Sequence, residues 1–278
     1  MRGTPVRDAL AGAITAITAA GSETPRLDAE LLLCDVLGVS REQLVTDRTL
    51  SVAGGAVRPF QDAVRRRSIE REPIAYILGH RGFRRLDLKC DRRALVPRPE
   101  TELLVEAGLD LPHGVHVLDL CTGGGAVALA LKDERPDLEV TGSDLSEPAL
   151  ELARENSAQL GLDVRWVRGD LLDGIGDEFD AVLANPPYVA DSERAQLAPE
   201  ILRHEPHEAL FAGPDGLQVI RRLLDQVGSR RRVRTLAIEI GRGQAPAVLE
   251  MTRARGFVDC HCKKDLAGVE RVIIGERG

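Results

Sequence analysis

The chain has 278 residues, of which 43% are hydrophobic and 29% charged, a composition typical of a globular protein with room for a main domain and a smaller one. Its formal net charge of −7 argues against a protein that binds nucleic acid through bulk charge, and no apolar run approaches the roughly 20 residues of a membrane span. The five cysteines are scattered and odd in number, which favours a reducing cytoplasm over a disulfide framework.

The first part of the chain predicts a small helical domain. Apolar residues recur there at spacings of three and four, the period of an amphipathic helix. Pro25 precedes one helix start, Gly38 follows a plausible helix end, and Pro73 breaks the last helix. The predicted helices cover residues 6–20, 26–38, 41–47 and 57–71.

A basic segment follows within this region. Residues 51–100 carry more Lys and Arg than Asp and Glu, with arginine clusters at positions 65–67 and 84–85. One interpretation is a solvated helix face. The other is a surface that docks an acidic or RNA-bound partner, and the sequence leaves both open.

The segment after the helices predicts a hairpin. Residues 83–90 alternate at Leu86 and Leu88, the pattern of short half-buried strands. The following prolines stiffen the entry to a helix over residues 103–109, for which Thr101 is a candidate cap.

From residue 115 onwards, predicted strands alternate with predicted helices, which indicates a parallel sheet covered on both faces. The strands are expected at residues 115–120, 139–143, 164–168, 181–184 and 235–240, and the helices at residues 126–133, 147–160 and 217–227. The last part of the chain, residues 257–264 and 269–275, predicts a hairpin that adds an antiparallel edge.

Glycines and carboxylates at the ends of these strands form a candidate cofactor site. The loop of residues 119–125 (Asp-Leu-Cys-Thr-Gly-Gly-Gly) allows a tight turn and close approach of a ligand. Asp144 ends the second strand, where a carboxylate can accept both hydroxyls of a ribose, and Asp170 and Leu171 follow the third strand, where they suit an adenine. Two alternatives stay open: a plain tight turn with Asp144 as a helix cap, and a nicotinamide dinucleotide site.

Residues 185–188 (Asn-Pro-Pro-Tyr) follow an apolar run that predicts a buried strand. Two consecutive prolines cannot continue a sheet, so Asn185 is held beside a stiff turn that offers carbonyl groups and few N–H groups. This arrangement suits the acceptance of hydrogen bonds from a planar –NH2 group. The alternative is that the prolines merely end the strand.

With these residues in view, the chain closely resembles the protein-(glutamine-N5) methyltransferases of the HemK/PrmC type, which act on peptide chain release factors. The resemblance covers nearly the whole length, and the helical N-terminal domain favours release-factor enzymes over DNA methyltransferases. Besides residues 185–188, the segments that carry it are residues 72–79 (EPIAYILG), 95–102 (LVPRPETE), 205–210 (EPHEAL) and 213–216 (GPDG).

The resemblance implies an α/β fold: a Rossmann-like methyltransferase domain at residues 97–278, with a mostly parallel sheet and an antiparallel terminal strand. It is preceded by a helical substrate-recognition domain at residues 1–80 and a linking β-hairpin at residues 81–96. The implied reaction moves a methyl group from S-adenosylmethionine, leaving S-adenosylhomocysteine, to the side-chain nitrogen N5 of the glutamine in the Gly-Gly-Gln motif of release factors of types 1 and 2. Such an enzyme is expected to be cytoplasmic and to bind neither membranes nor, stably, nucleic acid.

The roles of the site residues follow from the same resemblance. Asn185 and the carbonyl of Pro186 would accept the two N–H groups of the substrate amide, and Tyr188 would pack against the amide plane and exclude water. These three are the candidate catalytic residues, and with Pro187 they form the candidate substrate site. The candidate cofactor-binding residues are Cys121, Thr122, Gly123, Gly124, Gly125, Asp144, Asp170, Leu171 and Asn185.

The glycine loop departs from the family's usual pattern, Gly-Thr-Gly-Ser/Thr-Gly. Cys121 stands at the first glycine, which is acceptable if the backbone dihedral φ there is negative. Gly124 removes a hydroxyl and adds backbone freedom, which is expected to weaken cofactor affinity.

No metal site is expected. Cys260, His261 and Cys262 are adjacent on a predicted strand, whose side chains alternate between faces, and no second ligand pair stands at zinc spacing. The competing functions are methylation of a glutamine in another translation protein, methylation of an amino group of adenine or cytosine in DNA, and a binding module without catalysis. The negative net charge opposes the DNA enzyme, and the intact residues 185–188 oppose the binding module.

Overall fold

The computed structural model describes residues 3–176 and 178–278. The chain divides into two compact units. The first contains the residues up to Gly79 together with Ala198–His204, and the second contains His80–Leu197 and Glu205–Gly278. The sequence does not predict that residues 198–204 belong to the first unit. Within the described ranges, no helix is long and apolar enough to cross a membrane.

The first unit is helical, in agreement with the apolar periodicity of its sequence. Two short strands, β1 (Thr4–Pro5) and β2 (Ser51–Val52), pair in antiparallel fashion. The helices are α1 (Val6–Ala19), α2 (Pro25–Leu37), α3 (Arg41–Thr46), α4 (Val57–Arg65) and α5 (Ile74–Leu78). Ile17, Leu32 and Leu33 are buried in the core between them.

Local sequence sets where these helices begin and end. Pro25 occupies the first turn of α2, where its missing N–H is not needed, and Gly38 ends the helix with a left-handed φ of 64°. Ser40 caps α3: its side-chain oxygen accepts from the N–H of Gln43, while Oε1 of Gln43 accepts from the N–H of Ser40.

The arginines that follow α4 are held in ion pairs. The helix continues into one π-helical turn (Arg66–Glu70). Arg67 in this turn is buried, and its Nε donates to Oδ2 of the buried Asp28 at 2.7 Å. Arg66 pairs with Glu72 at 2.7 Å. Both interpretations of this cluster are therefore wrong for Arg67, which is neither solvated nor available to a partner.

The predicted hairpin is present, although it begins three residues earlier than the sequence indicates. Strands β3 (His80–Phe83) and β4 (Leu86–Lys89) pair in antiparallel fashion. The turn between them contains Arg84 with a φ of 53°, and two nitrogens of this guanidinium donate to Glu134 at 2.8 Å each. Leu88 is buried in the core of the second unit, so the hairpin packs as part of that unit.

The second unit is built on a seven-stranded sheet in the order β10-β11-β9-β8-β5-β6-β7. Its strands are β5 (His116–Leu120), β6 (Glu139–Asp144), β7 (Arg165–Arg168), β8 (Ala181–Ala184), β9 (Thr235–Glu239), β10 (Asp259–Lys264) and β11 (Glu270–Glu276). The five strands from β9 to β7 run parallel, whereas β11 is antiparallel to both β9 and β10. The predicted mostly parallel sheet with an antiparallel terminal part is confirmed.

The helices that cover this sheet are α6 (Glu102–Leu109), α7 (Ala126–Glu134), α8 (Glu147–Leu160), α10 (Gln218–Ser229) and α11 (Ala245–Ala254). One further helix, α9 (Pro199–His204), belongs to the first unit. Helix α9 is fixed within the first unit, because Glu200 pairs with Arg71 at 2.7 Å and Nε2 of His204 lies 2.8 Å from the carbonyl oxygen of Glu70.

The two faces of the sheet bury separate apolar clusters. Along β5, Val117 contributes to one cluster, and Leu118 and Leu120 contribute to the other. Burial of each such side chain stabilises the fold by roughly 2 kcal/mol. Asp119 interrupts the alternation as a buried carboxyl group. A buried acid at the end of an apolar strand indicates a functional site next to it.

Candidate active site

A cavity of about 500 Å³ opens at the carboxyl ends of β5, β6 and β8. It lies where the strand order reverses between β5 and β8, the usual ligand site of open α/β sheets. The predicted site residues that line it are Cys121, Thr122, Gly123, Gly124, Asp144, Asp170, Leu171, Asn185 and Pro187. Gly125, Pro186 and Tyr188 do not line it.

The glycine loop is held in place by the buried carboxyl of Asp119. Its Oδ2 accepts from the hydroxyl of Thr122 at 2.5 Å and from the N–H of Ala128 at 3.1 Å. The N–H of Gly125 donates to the carbonyl of Thr122 at 2.9 Å, which closes the turn. Burial raises the pKa of Asp119 to about 7. The loop conformation therefore depends on Asp119, the first residue of the predicted loop, for which the sequence indicated no separate role.

Cys121 does not have the negative φ that would let a cysteine replace glycine at this position without strain. Its φ is 57°, in the left-handed region where a Cβ is strained and glycine is favoured. The thiol is partly buried against the core, and burial raises its pKa well above the ordinary value. The departure from the family pattern is therefore a source of backbone strain next to the cavity.

Gly124 and Gly125 differ in what a side chain would meet. A Cβ on Gly125 would lie 2.8 Å from the ring of Trp166, and its φ of 87° excludes most other residues. A Cβ on Gly124 would lie 3.2 Å from a methyl group of Leu152, and φ there is not positive. The structure therefore requires glycine at position 125, whereas position 124 has room for a small side chain after a slight shift of Leu152.

Asp144 connects the second strand to the glycine loop. Its Oδ2 accepts from the N–H of Gly123 and its Oδ1 from the N–H of Ser146, both at 2.9 Å. Ser146, rather than Asp144, caps α8, because its side-chain oxygen accepts from the N–H of Ala149. The helix-cap alternative for Asp144 is thus wrong. Burial raises the pKa of Asp144, and each of its oxygens keeps a lone pair for a ligand.

Asp170 and Leu171 border the cavity beyond the third strand. Oδ2 of Asp170 pairs with Nη2 of Arg222 at 2.8 Å, and Arg222 also lines the cavity. Leu171 is buried and has a φ of 56°. Its left-handed backbone directs the chain around the cavity edge, a second strained position beside the same site.

Asn185 is oriented by a neighbour from a distant part of the chain. Its Nδ2 donates to the side-chain oxygen of Thr101 at 3.2 Å, across 84 residues of sequence. Thr101 is buried and makes no helix-capping hydrogen bond, so its predicted capping role is wrong. Because the amide nitrogen is engaged, Oδ1 of Asn185 is the polar atom left to face the cavity.

Tyr188 is tied to the neighbouring strand. Its hydroxyl donates to Oε1 of Glu239 at 3.2 Å. Burial raises the pKa of Tyr188, and the nearby carboxyl of Glu239 raises it further, so the hydroxyl remains protonated and donates. The carbonyl of Tyr188 accepts from Nε2 of Gln244 at 3.0 Å, and a Cβ on Gly216 would lie 2.3 Å from that carbonyl. Position 216, the second glycine of residues 213–216, thus requires glycine because a side chain there would collide with the carbonyl of Tyr188.

Two other family segments meet at the cavity wall. Arg98 lines the cavity, and its Nη2 pairs with Oε1 of Glu205 at 2.5 Å. The other oxygen of Glu205 accepts from the N–H of Val96 at 3.3 Å. The pair joins residues 95–102 to residues 205–210, two stretches that the sequence could only associate by resemblance.

The cavity has the chemistry of a site for a cationic, polar cofactor such as S-adenosylmethionine. The arginines that line it are ion-paired, as Arg98 and Arg222 show, while Asp144 carries carboxylate oxygens with lone pairs to spare. Ser143 also lines the cavity, and its buried hydroxyl has no hydrogen-bond partner among the described residues. An orphaned hydroxyl beside a carboxylate suits a ligand with hydroxyl or amino groups.

Residues 3–176 and 178–278 contain no group of three or more His, Cys, Asp or Glu side chains that could hold a metal ion. On β10, Cys260 and Cys262 pack towards the core while His261 is exposed on the other side. The adjacent cysteines and histidine therefore point away from each other.

Thr101, Asp119 and Glu239 are the main additions to the predicted site. Their signal in the sequence is a polar residue inside an apolar pattern: Asp119 within Val-Leu-Asp-Leu and Glu239 within Ala-Ile-Glu-Ile. Thr101 carried no such signal, because its role depends on contacts with residues far away in sequence.

Comparisons with known proteins cover both units. Residues 8–79 match the PrmC N-terminal domain family, and residues 99–226 match the methyltransferase small domain family. A release factor glutamine methyltransferase of Deinococcus radiodurans is 39% identical over 276 residues and covers 98% of each chain. One of Caulobacter vibrioides is 38% identical over 263 residues, which is 92% of this chain and 91% of that protein.

Solved structures share much of this fold. The catalytic domain of hMettl16, in complex with an RNA hairpin of the MAT2A 3′UTR, superposes with a TM-score of 0.56. The match covers 80% of this chain and 81% of that chain at 16% sequence identity. At this identity the likeness concerns the fold alone.

Proposed function

The chain belongs to the release factor glutamine methyltransferases, and from this premise we propose that it methylates the side-chain nitrogen N5 of the glutamine in the Gly-Gly-Gln motif of bacterial peptide chain release factors of types 1 and 2. The predicted family, the predicted methyltransferase activity and the predicted methyl donor, S-adenosylmethionine, are confirmed by this membership. The acceptor and the roles of individual residues are the content of the proposal.

The observation that carries the proposal is the orientation of Asn185. Its nitrogen is committed to Thr101, so its oxygen is the acceptor presented at the cavity. Pro186 does not itself line the cavity, but its carbonyl oxygen follows Asn185 directly in the chain and accepts no backbone hydrogen bond among the described residues, so it is the second acceptor of this proposal. Two acceptors suit the two N–H groups of a primary amide, whereas a hydroxyl or thiol has only one hydrogen and would use only one of them.

These acceptors address the chemical difficulty of the reaction. An amide nitrogen is a poor nucleophile, because its lone pair is delocalised into the carbonyl group. Asn185 and Pro186 hold the nitrogen in one orientation and stabilise the positive charge that develops on it. Positioning and fixed dipoles in a site shielded from water contribute several kcal/mol to such a reaction. The cationic methylated amide then loses its proton readily, so no strong base is needed.

The remaining cavity residues hold the methyl donor. When bound, S-adenosylmethionine supplies an electrophilic methyl group on a sulfonium centre. Asp144 accepts from the ribose hydroxyls, Asp170 hydrogen-bonds the adenine and Leu171 packs on it. The backbone of the glycine loop, residues 121–125, lies close to the cofactor, because its glycines have no side chain to keep the two apart.

Tyr188 completes the acceptor site. Tyr188 does not line the cavity itself, and in this proposal its ring packs behind the acceptor oxygens and excludes water, while Glu239 holds its hydroxyl away from the hydrogen bonds of the amide. Pro187 lines the cavity and narrows the entrance for the glutamine side chain.

The helical first unit recognises the release factor in this proposal. The first unit matches the PrmC N-terminal domain family, and the Deinococcus radiodurans relative aligns over 98% of this chain, so over both units. A cytoplasmic location, where release factors act, is part of the same proposal, as is the absence of stable nucleic-acid binding.

The test is methyl transfer from labelled S-adenosylmethionine to a purified release factor. A factor with Gly-Gly-Ala in place of Gly-Gly-Gln and naked DNA serve as controls. Label on the normal factor alone is expected. Label on DNA, or equal label on both factors, would contradict the proposed acceptor.

The role of Asn185 is tested in the same assay. Asn185→Ala is expected to lower transfer by at least about 100-fold, the loss typical of one preorganised hydrogen-bonding group, with only a small loss of cofactor affinity. Near-normal turnover of this variant would remove Asn185 from the mechanism.

A further inference from the structure

Behind Asn185 lies a chain of hydrogen bonds that ends at a buried carboxyl group. Nδ2 of Asn185 donates to Thr101, and the hydroxyl of Thr101 lies next to the carboxyl of Glu239, where it favours the ionised form. The hydroxyl of Tyr188 donates to Oε1 of the same carboxyl at 3.2 Å. The first and last residues of the segment 185–188 are thus both connected to one side chain on another strand.

Strand register places Glu239 at this position. Strands β8 and β9 are parallel, and Ala184 pairs with Ile238. The next residue on each strand, Asn185 and Glu239, therefore lie side by side where the strands end at the cavity. Glu239 is 1% exposed, so its carboxyl contacts protein and not solvent.

The fold itself gives no reason for a carboxyl group here. Glu239 continues an apolar strand, and burial raises its pKa to about 7. Among the described residues its Oε2 has no hydrogen-bond partner, a deficit that destabilises the folded state. The charged and titratable groups that face it are Tyr188 after β8, Arg271 on β11 and Glu100 before α6. An apolar residue would be the more stable choice, so a functional reason is required.

The direction of each hydrogen bond supplies that reason. A hydroxyl has one hydrogen to donate, and a carboxylate can only accept. Thr101 therefore donates to ionised Glu239 and can only accept from Asn185. This forces Nδ2 of Asn185 towards Thr101 and leaves Oδ1 for the ligand. If Glu239 were protonated, it could donate to Thr101, whose hydrogen would then be free to bond Oδ1 and reverse the amide.

We propose that Glu239 and Thr101 are positioning residues that fix the amide of Asn185 with Oδ1 towards the substrate nitrogen, and that Glu239 also holds Tyr188 beside it. The inference rests on the proposed function, because it explains how the acceptor oxygen is selected. Neither residue takes part in methyl transfer itself. A reversed Asn185 would present –NH2 to the substrate –NH2, two donors that cannot bond.

The first experiment compares Thr101→Val with Thr101→Ser in the methyl-transfer assay. Valine has the same shape without the hydroxyl, whereas serine keeps it. Thr101→Val is expected to lower kcat by about 10- to 100-fold, the loss typical of a misdirected catalytic group, and to leave the KM for release factor and the Kd for cofactor within about threefold. Thr101→Ser is expected to retain kcat within about threefold.

A second readout does not depend on activity. In the free enzyme, the side-chain amide signal of Asn185 in a ¹⁵N–¹H spectrum is identified by its absence from Asn185→Ala. It is expected to move in Thr101→Val and in Glu239→Gln, and to keep its position in Thr101→Ser. A purely structural role would shift many signals in all three variants instead.

The third readout is the pH profile. In the wild type, kcat is expected to fall as the pH drops through about 7, because protonated Glu239 no longer enforces the orientation of Asn185. The acidic limb is expected to disappear in Glu239→Gln. Asp119 also titrates near pH 7 beside the cavity, so Asp119→Asn is the control and must keep the limb.

The outcomes separate the two proposals. A wild-type enzyme that leaves the release factor unlabelled overturns the proposed function, whatever the variants do. A wild-type enzyme that labels it, with Thr101→Val equally active or Thr101→Ser as impaired as Thr101→Val, overturns the positioning roles alone. An unchanged KM with lowered kcat and a moved Asn185 signal supports them.

Discussion

The hydroxyl of Thr122 donates a hydrogen bond of 2.5 Å to Oδ2 of Asp119. This contact joins the end of β5 to the glycine loop. The same oxygen also accepts from the N–H of Ala128 in the first turn of α7. Burial makes the ionised carboxyl expensive and raises its pKa to about 7, from 3.8 in an unfolded chain. The loop thus depends on a group whose charge state changes near neutral pH.

Asp119→Asn is expected to change how stability depends on pH. Because the pKa of Asp119 is raised in the folded protein, its contribution to stability is fully present below about pH 4 and is lost as the pH rises to about 7. Asparagine keeps an oxygen that accepts both hydrogen bonds and has no charge. Relative to the variant, the wild type is expected to lose about 3 kcal/mol of unfolding free energy between pH 5 and pH 8. Urea unfolding at both pH values measures this, and parallel pH curves would contradict the raised pKa.

Cys121→Gly is expected to stabilise the protein relative to Cys121→Ala. Both variants remove the thiol, but alanine keeps a Cβ in the left-handed conformation that φ of 57° imposes. The difference in unfolding free energy is expected to be about 1 kcal/mol in favour of glycine. Thermal or urea unfolding of the two variants gives the value directly. A more stable alanine variant would mean that the backbone at Cys121 carries no strain.

The strands were predictable because each is a short apolar run with clear boundaries. The predicted strand over residues 181–184 matches β8 residue for residue. The predicted strand over residues 139–143 differs from β6 only in that β6 continues for one more residue, to Asp144. Helix α11 (Ala245–Ala254) was not predicted, although it has a proline in its first turn, because it buries only Ala245, Val248 and Thr252. So few inward residues give no convincing helical period.

The site was predictable where it is local in sequence and not where it is assembled across strands. The glycine loop, Asp144 and Asn185 follow strand ends, and the topology brings strand ends together. Thr101 and Glu239 reach Asn185 and Tyr188 through sheet register and helix packing, which no local pattern encodes. The assigned roles of these residues in binding and catalysis stay predictions.

Asp144→Ala is expected to weaken cofactor binding by at least about tenfold, since each charge-assisted hydrogen bond to a ribose hydroxyl contributes about 1.5–3 kcal/mol. Isothermal titration calorimetry with S-adenosylmethionine measures the affinity. Ser40→Ala is the control for a general loss of stability: it removes the cap of α3 in the first unit, lowers stability by about 1 kcal/mol and leaves the affinity unchanged. Equal affinities for wild type and Asp144→Ala would restrict Asp144 to holding Gly123.

Arg67→Ala is expected to destabilise the first unit, not to weaken docking of a partner. The side chain of Arg67 is 7% exposed and that of its partner Asp28 is 3% exposed, so the substitution leaves a carboxylate buried without its cation. Loss of one member of a buried pair costs about 3–5 kcal/mol. The control is Arg58→Ala on the exposed face of α4, where a change within about 0.5 kcal/mol is expected. Urea unfolding distinguishes them, and an Arg67→Ala variant as stable as the wild type, with a raised KM for release factor, would restore the docking interpretation.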